Sequence, residues 1–198
     1  MMDTEDERER AFSVIGRVAA ARWSCRAFLP QRLPVSTIER VLSVAQKTAS
    51  WNNAQPWQVV VTTGPATEHF RRLMVRLAEK GEETKPDLAF PREYRDVYMA
   101  RRRACGFQLY DAVGVERGDK AAYSRQGLRN FALFDAPHVA IVTTDEALGT
   151  YGALDCGAYV STFMLAAQAL VLPRSPKPHW LFIRVRSARI LACLKHAK

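Results

Sequence analysis

The stretch STIERVLSVAQKTASWNNAQPWQVVVTTGP, residues 36–65, carries a helix signal, a strand signal and an unusual connection between them. Ile38, Val41, Leu42 and Ala45 recur at helical spacing. Ser36 stands where an N-cap would, with Glu39 three residues on as in a capping box, which predicts a helix over Ser36–Lys47. Gln58–Thr63 is rich in β-branched residues and ends at Gly64-Pro65, so a strand entering a turn is expected. The connection, Ser50-Trp51-Asn52-Asn53-Ala54-Gln55-Pro56-Trp57, offers amide donors and acceptors for a heterocycle and indoles as flat apolar walls. The same residues also suit a plain helix-to-strand turn, with Asn serving the backbone and Trp filling core.

Outward from this stretch, helices are expected at Ala11–Ala21, Ala66–Lys80, Pro91–Cys105, Ala121–Phe134 and Leu154–Leu172. A second strand is expected at His138–Thr144, after Asp135-Ala136-Pro137. Gly81–Phe90 and Gly106–Lys120 read as polar connections of the kind that cover binding sites. The last helix is apolar around most of its circumference, which suits the centre of a domain or a dimer interface.

Composition sets the class. The chain has 198 residues, 48% hydrophobic and 25% charged, with 10 Gly and 10 Pro, which excludes collagen-like and low-complexity readings and points to one domain with a core. Its net charge of +9 is uneven: residues 1–172 hold 22 basic and 20 acidic residues, whereas residues 173–198 hold seven basic and none acidic. A basic tail can bind nucleic acid through phosphates, but Trp180, Leu181, Phe182, Ile183, Ile190 and Leu191 argue against a solvated arm. No nucleic-acid partner is expected. Cys25, Cys105, Cys156 and Cys193 form no C-x-x-C pair and have no His at metal spacing, so reduced thiols and no metal site are expected. The charged start, Met1–Arg10, is unlike a signal peptide, and the apolar run Tyr159–Leu172 is shorter than the ~20 residues of a membrane span. These features point to the cytoplasm and to no membrane partner.

A second chemical cluster follows the first helix: Arg22-Trp23-Ser24-Cys25-Arg26-Ala27-Phe28. Two guanidiniums flanking a hydroxyl can hold a phosphate by charge-assisted hydrogen bonds. The competing reading is a solvated helix end, since surface Arg is common. Arg125 and Arg129, on the helix before Asp135, are similarly divided between an anion contact and a solvated stripe. The run Arg101-Arg102-Arg103 hints at an acidic aromatic substrate, although such runs usually form a solvated helix face.

Taken together the motifs are more specific. Arg22-x-Ser24-x-Arg26-x-Phe28, Pro34-Val35, Ile38-Glu39-x-Val41-Leu42-x-x-Ala45 and Ser50-x-x-Asn53-x-Gln55-Pro56-Trp57 resemble the FMN-dependent nitroreductase family in order and spacing. Asp135-Ala136-Pro137-His138 and Gly152-x-x-Asp155-x-Gly157 extend the resemblance, which covers roughly Arg22 to Leu172. It implies an α+β fold, a three-layer α/β/α sandwich with a mixed, mostly antiparallel sheet flanked by helices. It also implies a homodimer with FMN at the interface. NAD(P)H would reduce the flavin, which would then reduce a nitroaromatic, a quinone or a related small-molecule acceptor by a ping-pong route. Arg22, Trp23, Ser24 and Arg26 would contact FMN. Ser50, Trp51, Asn53 and Gln55 would line its rings from the other subunit, and Arg129 would be a further phosphate or substrate contact. No catalytic side chain is required, because the cofactor carries the chemistry. Ala49 stands where family members often have Pro, a change that removes no ligand group.

The resemblance breaks after Leu172, where the charge balance also changes. Residues 1–172 therefore read as a nitroreductase-like FMN-binding domain, and residues 173–198 as an atypical basic tail. Pro173-Arg174-Ser175-Pro176-Lys177-Pro178-His179-Trp180-Leu181 is poor material for a helix or central strand. The family's loop here resembles Ile-Pro-Gln-Ala-Ala-Leu-Ala, and the genetic code permits that loop in the neighbouring frame from Arg174 to Leu181, which suggests a frameshift. The rival functional classes are a flavin-free remnant of the fold and a basic nucleic-acid-binding protein.

Overall fold

The computed structural model describes residues 4–81, 86–171 and 181–184. The order of elements is α1 (Glu5–Ala21), α2 (Val35–Ala45), β1 (Gln58–Thr63), α3 (Pro65–Glu79), α4 (Asp96–Ala112), α5 (Lys120–Phe131), β2 (His138–Thr143), α6 (Gly149–Val171) and β3 (Leu181–Arg184), with short 3-10 turns at Trp51–Asn53, Leu133–Asp135 and Glu146–Leu148. The fold is α+β. The chain divides into two compact units, one of Met1–Glu68 with Phe134–Lys198 and one of His69–Leu133.

The first unit is built on a mixed sheet in the order β1-β2-β3. β1 pairs antiparallel with β2 from Gln58↔Thr143 to Thr63↔His138, and β2 pairs in parallel with β3 from Val139↔Leu181 to Val142↔Arg184. All six residues of β2 are buried, as expected for a near-continuous apolar central strand covered on both faces. On one face Ala140 and Val142, with Val59 and Val61, pack against Ile38, Val41 and Ala45 of α2 and Cys156, Tyr159, Phe163 and Ala166 of α6. On the other face Thr62 and Thr67 share a buried hydrogen bond of 2.9 Å, which ties the start of α3 to the sheet. Within this unit α2 and α6 cover one face of the sheet, and the start of α3 is hydrogen-bonded to the other. Side-chain volume and β-branching explain the sheet; the i, i+3/i+4 stripe Ala153, Cys156, Tyr159, Phe163, Ala166 explains why α6 lies flat on it.

His138 locks the entry to this core. Its Nε2 accepts the backbone N–H of Leu33 at 2.8 Å, so the proton resides on Nδ1, which faces the Thr62 carbonyl at 3.4 Å. Before it, Leu133, Phe134 and Asp135 all have positive φ, a strained run of non-Gly residues. The Phe28 N–H donates to the Phe134 carbonyl at 3.2 Å, and Phe28, Phe134 and Ala136 form a small buried cluster.

Several expected boundaries change. α1 begins six residues earlier than Ala11 because Thr4 caps it, its Oγ1 accepting the Glu7 N–H at 3.3 Å, with Glu5, Asp6 and Glu7 suiting the positive end of the helix. α2 is capped by Pro34 with no side-chain hydrogen bond, so Ser36 lies inside the first turn and the predicted capping box is not formed. α4 runs Asp96–Ala112 rather than Pro91–Cys105 and buries no residue, so no apolar stripe marks its ends. α6 starts at Gly149, and the helical segment Glu146–Leu170, which joins the preceding 3-10 turn to most of α6, is long and apolar enough to cross a membrane, with a mean hydropathy of 1.2 over 18 residues, unlike the shorter run expected. Its buried stripe against α2 and the sheet is that of a core helix.

Leu181–Arg184 forms β3, so a strand follows the proline-rich segment directly. The rest of the proposed basic tail, and with it the frameshifted loop, lies outside the described residues. The second unit holds α4, α5 and most of α3. Asp119 caps α5, its Oδ1 accepting the Ala122 N–H at 2.8 Å, and the Tyr110 and Tyr123 rings lie 4.6 Å apart.

Candidate functional site

The helix-to-strand connection is an ordered polar loop. Asn52, Asn53 and Gln55 all have positive φ, at 50°, 53° and 45°. Asn tolerates this region better than most residues, and Gln55 is held there by its own N–H donating to the Ser50 Oγ at 2.9 Å. The Trp51 N–H donates to the Asp155 Oδ2 at 3.1 Å, and the Trp51 ring lies 5.1 Å from Tyr151, so α6 fixes the loop at two points. Side-chain amides continue the order: Gln46 Nε2 donates to Gln55 Oε1 at 3.0 Å, and Gln55 Nε2 donates to Asn53 Oδ1 at 2.9 Å. At the inner end the buried Trp57 Nε1 donates to Gln46 Oε1 at 2.9 Å, its ring 5.0 Å from Tyr159.

The four loop residues expected to meet a ligand, Ser50, Trp51, Asn53 and Gln55, are thus brought together, with Trp51 60% exposed.

The arginine cluster follows the end of α1. Arg22 is the C-cap, its backbone N–H donating to the Val18 carbonyl at 3.2 Å, and Arg26 Nη1 donates to the Ser24 carbonyl at 3.3 Å. Neither guanidinium has a carboxylate partner among the described residues. Trp23 is 55% exposed beside them. The two guanidiniums and the exposed indole thus lie within one short segment after α1. Among the described residues no hydrogen bond joins this cluster to the loop, although α1 and α2, which lead into the two clusters, both pack on α6.

Arg129 belongs to the other unit. It lies on α5, where with Arg125, Gln126, Asp119 and Ala122 it borders an open pocket of about 380 Å³. Arg101, Arg102 and Arg103 are exposed on α4, with the Arg102 guanidinium 5.1 Å over the Tyr94 ring, which matches the solvated face. No group of His, Cys, Asp or Glu among the described residues is arranged to hold a metal.

Three residues that organise the loop were not singled out as site residues from sequence: Gln46, Trp57 and Asp155. Asp155 carried a signal in Gly152-x-x-Asp155-x-Gly157. Gly152 shows why that motif needs glycine, since a Cβ there would lie 2.8 Å from both Leu148 Cβ and Thr144 Oγ1.

Residues 19–185 match the model of the nitroreductase family. The chloronitrobenzene nitroreductase of Comamonas testosteroni is 35% identical over 158 residues, 78% of this chain and 69% of that protein. The 4-nitrobenzoate reductase of Pseudomonas putida is 30% identical over 160 residues, 81% of this chain and 70% of that protein. The crystal structure of the FMN-dependent nitroreductase NfnB from Mycobacterium smegmatis in complex with NADPH superposes with a TM-score of 0.76 at 28% identity, covering 81% of this chain and 72% of that one. With the motifs, the fold and a match across most of its length in agreement, this chain belongs to the nitroreductase family.

Proposed function

We propose that this protein is an FMN-dependent oxidoreductase that uses NAD(P)H to reduce nitroaromatics, quinones or related small acceptors. The observation that carries this reading is the Ser50–Gln55 loop, strained, exposed and anchored to α6, in a chain whose relatives are nitroreductases.

Bound FMN supplies the redox chemistry, taking an electron pair from NAD(P)H and passing it to the acceptor. The chain binds and orients. Arg22, Ser24 and Arg26 would contact the FMN phosphate, ribityl chain and pyrimidine edge, and an Arg at that edge would favour the negative charge of the reduced ring. Trp51 offers a flat wall, and Ser50, Asn53 and Gln55 offer hydrogen bonds to the ring edge. No side chain needs to act as nucleophile or base.

In this reading the site is completed by a second copy, whose loop walls the rings held by the first copy's arginines. Support comes from apolar surface left uncovered around the site. α1 buries none of its 17 residues and exposes Phe12 and Ile15, while α6 exposes Tyr151 and Leu154 beside Trp51. The division at Leu172 into a flavin-binding domain and an atypical tail belongs to the same reading, and the coding DNA tests the frameshift: if no displaced frame restores the family loop, that part is wrong.

The function is tested by purifying the full chain, releasing and quantifying its flavin, and following NADH and NADPH oxidation with a nitroaromatic. Yellow protein with acceptor-dependent oxidation is expected. Colourless protein in excess FMN supports the remnant reading instead.

A further inference from the structure

The hydrogen bonds from Trp57 to Asn53 form a row with only one allowed direction. An indole N–H can donate and cannot accept, so the Gln46 atom 2.9 Å from Trp57 Nε1 must be its oxygen. The Gln46 NH2 is then the group facing Gln55, which must present its own oxygen at 3.0 Å. The Gln55 NH2 in turn faces Asn53, which must present oxygen at 2.9 Å. One buried donor thereby fixes three amides, and the last of them is left with both of its N–H groups unspent. Trp57 is 7% exposed and packed in the core, whereas Gln46, Gln55 and Asn53 are exposed, so the direction is set inside the protein and expressed at its surface.

We propose that Trp57 and Gln46 are positioning residues that orient the Asn53 amide, so that the site offers hydrogen-bond donors to acceptor atoms on the edge of the flavin ring. Gln55 is then chiefly a strut. Its Oε1 and Nε2 each hold a neighbour and its N–H is held by Ser50, while Asn53 makes the ring contact. The proposal rests on the flavin reading above.

Gln46→Glu gives the discriminating variant. A carboxylate at 46 still accepts from Trp57, but it can only accept from Gln55 as well, so Gln55 turns over. Asn53 must then donate to Gln55 and present its oxygen outward. Every bond is kept and the row is inverted. Gln46→Met, which is neutral and makes neither bond, separates direction from added charge.

Two readouts on the full chain test this. In 15N-correlated NMR of flavin-free protein, the Gln55 side-chain amide is expected to be protected from solvent exchange and the Asn53 amide unprotected, with Gln46→Glu protecting Asn53. In FMN titrations, Gln46→Glu is expected to weaken binding about tenfold, the effect of replacing one hydrogen bond by a lone-pair repulsion. Gln46→Met should fall between it and the wild type in FMN affinity, and, because it leaves the buried Trp57 N–H without an acceptor, should melt several degrees lower, whereas Gln46→Glu, which keeps that acceptor, should melt near the wild type. An Asn53 amide already protected in the wild type, or unchanged in Gln46→Glu, overturns the row. An inverted row with unaltered FMN affinity, or Gln46→Met binding as the wild type does, overturns its role at the flavin. A wild-type chain that takes no FMN at all counts against the functional reading, and the amide pattern still decides the row.

Discussion

The Asp155 carboxylate accepts the backbone N–H of Trp51 at 3.1 Å, joining α6 to a loop 104 residues earlier in the chain. Asp155 is partly exposed, and its carboxylate holds the first residue of the positive-φ turn. Asp155→Ala is expected to raise the FMN dissociation constant about fivefold to tenfold, the scale of one charge-assisted bond at a partly exposed site. Asp155→Asn, which keeps an acceptor, should cost less. Fluorescence titration of FMN distinguishes the two, and wild-type affinity in both variants would show that the anchor is idle.

Gly152 lets α6 approach the segment after β2. Because a Cβ would meet Leu148 Cβ and Thr144 Oγ1 at 2.8 Å, Gly152→Ala should destabilise the fold by about 1–3 kcal/mol, despite the ~1 kcal/mol by which Ala is favoured over Gly within a helix. Denaturant unfolding measures the difference. A stabilised variant would mean that the 3-10 turn at Glu146–Leu148 moves aside freely.

Burial pushes the Tyr159 hydroxyl above its ordinary pKa of 10.0. A group whose pKa is higher folded than unfolded contributes stability that is complete below the unfolded value and is lost as pH rises through the folded one. Unfolding followed from pH 8 upward should therefore show a decline beginning near pH 10, and Tyr159→Phe should make that decline shallower. An equal decline in both proteins would place the alkaline sensitivity elsewhere.

How much of this was legible in the sequence follows from how local each signal is. β1 and β2 sit where β-branched runs bounded by turn residues put them, to within one residue, because strand pairing here needs little beyond those runs. The motif residues of the loop were found because Asn, Gln and Trp are rarely so concentrated. The start of α2 was misread because Pro34, with its φ fixed near −57°, begins the helix before Ser36 can cap it. α4 was displaced because nothing on it is buried, which leaves no periodicity to read. The direction of the amide row could not be read at all. Gln46 and Trp57 lie eleven residues apart at the two ends of the connection between α2 and β1, and only the fold brings indole and amide together.

In the proposed function Arg22, Arg26 and the Ser50–Gln55 loop together bind FMN. The most direct test of this is equilibrium titration of FMN into the flavin-free chain, wild type against Arg22→Met with Arg26→Met, at low and high salt. One FMN per chain is expected, with about 100-fold weaker binding in the double variant, as two charge-assisted bonds are lost, and with a salt dependence that the variant no longer shows. Saturable wild-type binding that is indifferent both to the two substitutions and to salt would contradict the account.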